Sequence, residues 1–270
     1  MPVYGLGTWH MGESSLDTAI EVKAVREAIE QGITHIDTAE VYAEGGAEKI
    51  VGEAIKDYDR KKLFLVSKVY GNHLHYTDLI NSAKQSLERL KTTYLDLYLL
   101  HRYNPEVPLK ETMSAMDYLF EEGLIRNIGI SNFTVNQTIN ARKYSDNHIV
   151  ANQLHLNLKI REAQEKGLLD YCQNEDMMLI AWRPLQGFSL DEEILLNFAK
   201  KYNKTPRQIA LNWLISQENV VTLSKTITLE HLKENLGAID FTMEKEDVQK
   251  LTRDFPNQKN ISDVVPLLDD

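Results

Sequence analysis

Eight short apolar runs recur along this chain, and most are followed by a segment of helical period. The runs are Val3–Thr8, Thr34–Thr38, Leu63–Lys68, Leu95–His101, Asn127–Ser131, Val150–His155, Met178–Trp182 and Val220–Ser224. Their apolar residues are near-continuous, as in "LDLYLL", where a strand with one wet face would alternate. A parallel strand covered on both sides reads this way. Between the runs, Asp17–Gln31 carries Ile20, Ala24 and Ile29 on one predicted face and stops at Gly32. Tyr76–Lys91, Glu111–Glu122, Thr134–Tyr144, Glu162–Asn174 and Pro206–Gln217 read as helices in the same way. Repeated strand–helix units leave two architectures, a closed parallel (β/α)8 TIM barrel or a long open α/β sheet.

The length of 270 residues fits one barrel, since such barrels run to about 250 residues. No Pro/Gly-rich linker or charge block interrupts the pattern, so one barrel domain over 1–270 is expected. Cys172 is the sole cysteine, which excludes an internal disulfide and suits a reducing, cytoplasmic setting. No signal-peptide pattern opens the chain, and no apolar run approaches the ~18 residues of a membrane span. A net charge of −10 opposes nucleic acid and anionic membranes as partners. An anionic small molecule would then need a local basic pocket.

In such barrels chemistry sits where strands end and the following loops begin. Those positions hold Thr8 and Trp9, Asp37, Lys68, His101, Ser131 and Asn132, Gln153, Trp182 and Lys225. Tyr42 follows Asp37 in the loop. Singly, each has an ordinary reading: a capping aspartate, a solvated lysine, a core histidine, a rim aromatic. Together, at the ends of strands two to four, they form an acid–base set. A free tyrosine titrates near ~10. A lysine ammonium within ~4–6 Å favours the phenolate, so Lys68 is expected to lower the pKa of Tyr42. Asp37 would keep Lys68 charged and oriented, and His101 would donate a hydrogen bond to a substrate oxygen. Such a set can protonate a carbonyl oxygen while another reagent adds to the carbon.

The segments "GLGTW", "DTAEVY", "SK", "LLH", "GISNF", "NQLH", "AWRPL" and "SKTITLEHLKEN", in this order, resemble the aldo-keto reductases over nearly the whole chain. The resemblance implies a (β/α) barrel, an NAD(P)H-dependent oxidoreductase, and a catalytic tetrad of Asp37, Tyr42, Lys68 and His101 with Tyr42 as the acid. It further implies that Ser131, Asn132 and Gln153 hold the nicotinamide carboxamide and that Trp182 stacks on the ring. Thr8 and Trp9 would line the nicotinamide and substrate pocket. Lys225 and Thr226 would meet the adenosine 2′-phosphate, with Glu234 and Asn235 at the adenine. NADPH is the expected cofactor and NADH an alternative.

Several positions depart from the family's pattern. His231, expected among the cofactor residues, stands where arginine is usual, and Ser224 stands where proline is frequent. Arg102, where many members have tryptophan, is expected at the substrate, with an ordinary solvated side chain as the alternative. Arg183 replaces a common serine, and is expected at the cofactor pyrophosphate or in the substrate pocket. The family's N-terminal hairpin is expected to be absent. With a short "GFSLD" loop and a short tail after Phe255, the pocket should suit small polar carbonyls: sugar aldehydes, glyceraldehyde or keto acids. Two other readings stand beside this one. A non-catalytic NADP(H)-binding regulatory protein of the same fold would keep the tetrad. A metal-dependent barrel hydrolase would use the "HLH" pair His73 and His75, but strand one lacks the closing histidine pair, so no metal is expected. Nothing in the chain speaks to oligomeric state.

Overall fold

The computed structural model describes residues 1–13 and 18–268. Eight strands form its centre: β1 (Tyr4–Gly7), β2 (His35–Asp37), β3 (Phe64–Val69), β4 (Leu97–Leu100), β5 (Ile128–Ser131), β6 (Ile149–His155), β7 (Met178–Trp182) and β8 (Val220–Ser224). Each pairs in parallel with the next, and β8 pairs with β1, with Tyr4 opposite Thr222 and Leu6 opposite Ser224. The ring is closed, which decides between the two architectures left by the sequence.

Helices cover the outside: α1 (Thr18–Glu30), α2 (Gly46–Ile55), α3 (Tyr76–Arg89), α4 (Leu109–Glu121), α5 (Val135–Tyr144), α6 (Glu162–Glu165), α7 (Leu168–Asn174), α8 (Glu193–Tyr202), α9 (Pro206–Ile215), α10 (Leu229–Leu236) and α11 (Lys245–Asp254). Among the described residues no strand hairpin precedes β1. No described helix is long and apolar enough to cross a membrane. Cys172 is a buried free thiol.

Two apolar layers explain the near-continuous strands. Val66, Leu97, Leu99, Ala151, Ile180, Val221 and Leu223 fill the barrel interior. Their neighbours along each strand face outward into the larger core beneath the helices. Gly129 on β5 is required by close approach, because a Cβ there would lie 2.4 Å from Leu99 Cδ2.

Three readings of the sequence need correction. The expected helix Glu162–Asn174 is two helices, α6 and α7, broken at Gly167 with φ +71°. On α1 the buried face is Glu21, Ala24, Val25 and Ala28, while Ile20 is exposed and Ile29 half-buried; Asp17, its expected start, lies outside the described residues. The strand expected over Leu95–His101 is shorter, and Leu95 makes only an isolated bridge to Ile125.

Candidate active site

Strand alternation aims His35 and Asp37 of β2 into the barrel while Ile36 joins the outer core. Asp37 lies at the top of the interior, where Lys68 of β3 reaches it. Lys68 Nζ donates to Asp37 Oδ1 at 2.5 Å and to the Thr38 carbonyl at 2.8 Å, and neither side chain is more than 3% exposed. Two acceptors hold a buried ammonium that would otherwise be costly to desolvate. Burial works to lower the Lys68 pKa, but Asp37 and Tyr42 outweigh it and raise it.

Tyr42 begins a single 3-10 turn between β2 and α2, whose next residues, Ala43 and Glu44, have φ of 50° and 52°. This left-handed turn lays the Tyr42 ring over Lys68 Nζ, 5.2 Å from its centroid. As a residue Tyr42 is half-buried, with its ring on the cleft wall. Burial pushes the Tyr42 pKa above its ordinary value; Lys68 pulls it down by charge and hydrogen bonding without reversing the sign. The sequence expectation of a lowered value therefore has the Lys68 contribution right and the net direction wrong, because desolvation of the phenolate is larger.

His101 follows β4, and its ring packs edge-on against Tyr42 at 5.8 Å and Tyr70 at 5.7 Å. Burial, with the charges of Lys68 and Arg102, drops its pKa to about 3, so the imidazole is neutral near neutrality. Its Nδ1 is buried without a protein partner.

The far side of the same cleft comes from the second half of the ring. Gln153 Nε2 donates to Asp37 Oδ2 at 2.8 Å, a bond across the barrel. Ser131 Oγ donates to the Gln153 carbonyl at 2.9 Å, and Asn132, at φ 60°, donates to Ser131 Oγ and the His101 carbonyl. Ser131 and Asn132 do not cap the following helix; Thr134 does, with Gln137 closing a capping box. Trp182 stacks on His155 at 4.3 Å and faces the cleft. Arg183 takes φ 54°, its carbonyl held by Asn157 Nδ2 at 2.8 Å, and its guanidinium lies 4.6 Å from the Trp9 ring.

The cleft has a volume of about 600 Å³, within the usual range for small-ligand sites. It gathers Thr8, Trp9, Asp37, Tyr42, His101, Arg102, Ser131, Asn132, Gln153, Trp182, Arg183, Lys225, Thr226, His231 and Asn235 on one wall system, with Lys68 just behind Asp37 and Tyr42. Glu234 is the exception. It is absent from the wall, and its Oε2 lies 3.0 Å from Nε of Arg207, which does line the cleft.

Four wall residues among those that escaped the sequence reading bear on the site. Tyr70 stands two residues past Lys68 and was accessible to the strand-end rule. Arg207 sits on a helix, where that rule does not look. Val264 and Val265 arrive on the C-terminal tail. Glu162 holds that tail, since its carboxylate accepts from Ser262 N at 2.8 Å and Leu267 N at 2.9 Å. As for the "HLH" pair, His73 pairs with Glu40 and His75 with Glu111, and no group of three candidate ligands converges among the described residues.

The family model for the aldo/keto reductase family matches residues 4–253. The chain belongs to the aldo/keto reductase family. Methylglyoxal reductase YeaE of Escherichia coli is 38% identical over 266 residues, covering 96% of this chain and 93% of the relative. Glyoxal reductase of Bacillus subtilis is 36% identical over 254 residues, covering 93% and 88%. Among solved structures, the thermostable aldo-keto reductase Tm1743 superposes with a TM-score of 0.91 at 41% identity, over 94% of this chain and 95% of that one. An aldo/keto reductase from Klebsiella pneumoniae, solved with NADP and acetate, gives 0.88 at 35% identity, over 99% and 96%. This aldo-keto reductase is an oxidoreductase.

Proposed function

We propose that this reductase converts small polar aldehydes and ketones to alcohols, with NADPH preferred and NADH accepted, and with Tyr42 as proton donor. The observation that carries the reading is the buried Lys68–Asp37 pair set beneath Tyr42 and beside a neutral His101, on the wall of a cleft with its own cations.

The cleft fits a nicotinamide dinucleotide. Arg183 and Lys225 line it without a carboxylate partner among the described residues, a local basic site in a chain of net charge −10. Ser131, Asn132 and Gln153 would hold the carboxamide, Trp182 would face the ring, and Lys225 and Thr226 would take the 2′-phosphate. The NADP-bound Klebsiella relative supports this assignment. When bound, the cofactor supplies the hydride to the carbonyl carbon.

The protein's own residues handle the proton. A raised pKa keeps Tyr42 fully protonated near neutrality, the state an acid must start from. As negative charge develops on the substrate oxygen, His101 donates a hydrogen bond to it and Tyr42 gives up its proton. Lys68 then stabilises the phenolate, and Asp37 keeps Lys68 charged and in place.

Substrate size follows from the walls. Trp9, Tyr70, Arg102, Val264 and Val265 line the cleft together with His101, a mostly apolar mouth that carries the Arg102 guanidinium. The relatives named for methylglyoxal and glyoxal act on small dicarbonyls, which fits that mouth. A steady-state screen with both reduced cofactors tests the proposal. Methylglyoxal and glyceraldehyde should exceed a bulky aromatic ketone in kcat/KM by at least about tenfold. Preference for the aromatic ketone overturns the substrate class; cofactor binding without turnover of any carbonyl overturns the activity.

A further inference from the structure

We infer that Arg207, on the first turn of α9, is a specificity residue for the phosphorylated cofactor, and that Glu234 positions it. The inference rests on the reading that a nicotinamide dinucleotide occupies this cleft.

Arg207 lines the same end of the cleft as Ser224, Lys225, Thr226 and Asn235, though it comes from a different element. Asn235 Nδ2 donates to Ser224 Oγ at 3.1 Å, and Ser224 bonds the Tyr4 hydroxyl, which lies within reach of the Arg207 charge. Arg207 is therefore part of the wall just beyond β8, where Lys225 stands.

Its guanidinium is held at one end. Glu234 Oε2 pairs with Nε at 3.0 Å, both side chains being about one-quarter exposed. The terminal nitrogens have no acceptor among the described residues, which leaves the planar fork that grips a phosphate by two bonds. His231 is exposed on the same wall and offers no such fork. A dianionic 2′-phosphate beside Lys225 alone would be incompletely matched, and Arg207 supplies the second cation from a different element. The carboxylate of Glu234, anchored to Arg207, is thereby a positioning group rather than a cofactor contact.

Binding to the intact protein, followed by calorimetry and tryptophan quenching, tests this without turnover. Arg207→Met keeps the aliphatic stem and removes the fork. It should weaken NADPH and 2′,5′-ADP about tenfold and leave NADH and 5′-AMP within about twofold. Arg207→Lys, the variant to use should the methionine protein not fold, should lose discrimination partially. Equal losses for the phosphorylated and unphosphorylated ligands, or no loss in either variant, overturn the inference. Glu234→Gln should change NADPH affinity in the wild-type background and not in Arg207→Met. An undiminished effect in that second background would make Glu234 a direct contact and overturn its positioning role. If neither cofactor binds the wild-type protein, the underlying cofactor reading fails. If NADPH binds selectively but no carbonyl is reduced, the proposed activity fails while Arg207 keeps its assignment.

Discussion

At the scale of single residues, the role proposed for Tyr42 combines two opposing demands. A proton donor there must hold its proton until substrate arrives and release it when the oxygen becomes basic. Burial, which raises the Tyr42 pKa, serves the first demand, and Lys68, pinned by Asp37, serves the second. Tyr42→Phe should leave cofactor affinity nearly unchanged and lower kcat by at least about 10²-fold, the scale of a positioned general acid. Turnover close to wild type would remove Tyr42 from the chemistry. The residues of this group were legible in the sequence because strand ends are where barrels keep their reactive side chains. The sign of the Tyr42 shift was not, because it depends on how far the folded chain desolvates the phenol. Arg207 was hidden for another reason: it reaches the cleft from a helix start.

At the scale of elements, the strands were legible to within two or three residues, since burial on both faces writes itself as a continuous apolar run. Helix ends were less so. Periodicity runs unbroken across α6 and α7, and only the left-handed Gly167 separates them. That break matters, because α6 is the short element that carries Glu162 to the tail. With Ser262 and Leu267 both donating to one carboxylate, the span bearing Val264 and Val265 is fixed at each end. Glu162→Ala should cost about 1–3 kcal/mol of stability through two buried amides left unsatisfied. It should also raise KM for the carbonyl several-fold while cofactor affinity holds. Unaltered KM together with an unaltered melting temperature would show that the tail is held by other contacts.

At the scale of the whole molecule, ring closure could not be read locally, since no residue signals that the last strand will meet the first. Closure also buries ionisable groups that exposed counterparts would not share. The pKa values of His35, His101 and His155 fall to about 4, about 3 and about 4, in each case chiefly by burial. An unfolded chain takes up these protons below about pH 6.5 while the native barrel refuses them, so stability must fall as pH falls toward 4. Each histidine contributes on the order of 3 kcal/mol to that fall. Urea midpoints at pH 7 and pH 4.5 measure it directly, and a midpoint that stays level or rises on acidification would contradict the burial argument.

The bond from Gln153 to Asp37 joins two half-rings with different duties. Strands β2 to β4 and their loops carry the side chains proposed to handle the proton, while β5 to β8 carry those proposed to hold the nicotinamide and its phosphates. Neither half holds a working subset. On the proposed assignment, a chain whose two arcs have not met lacks one of the two sets of side chains that carbonyl reduction needs.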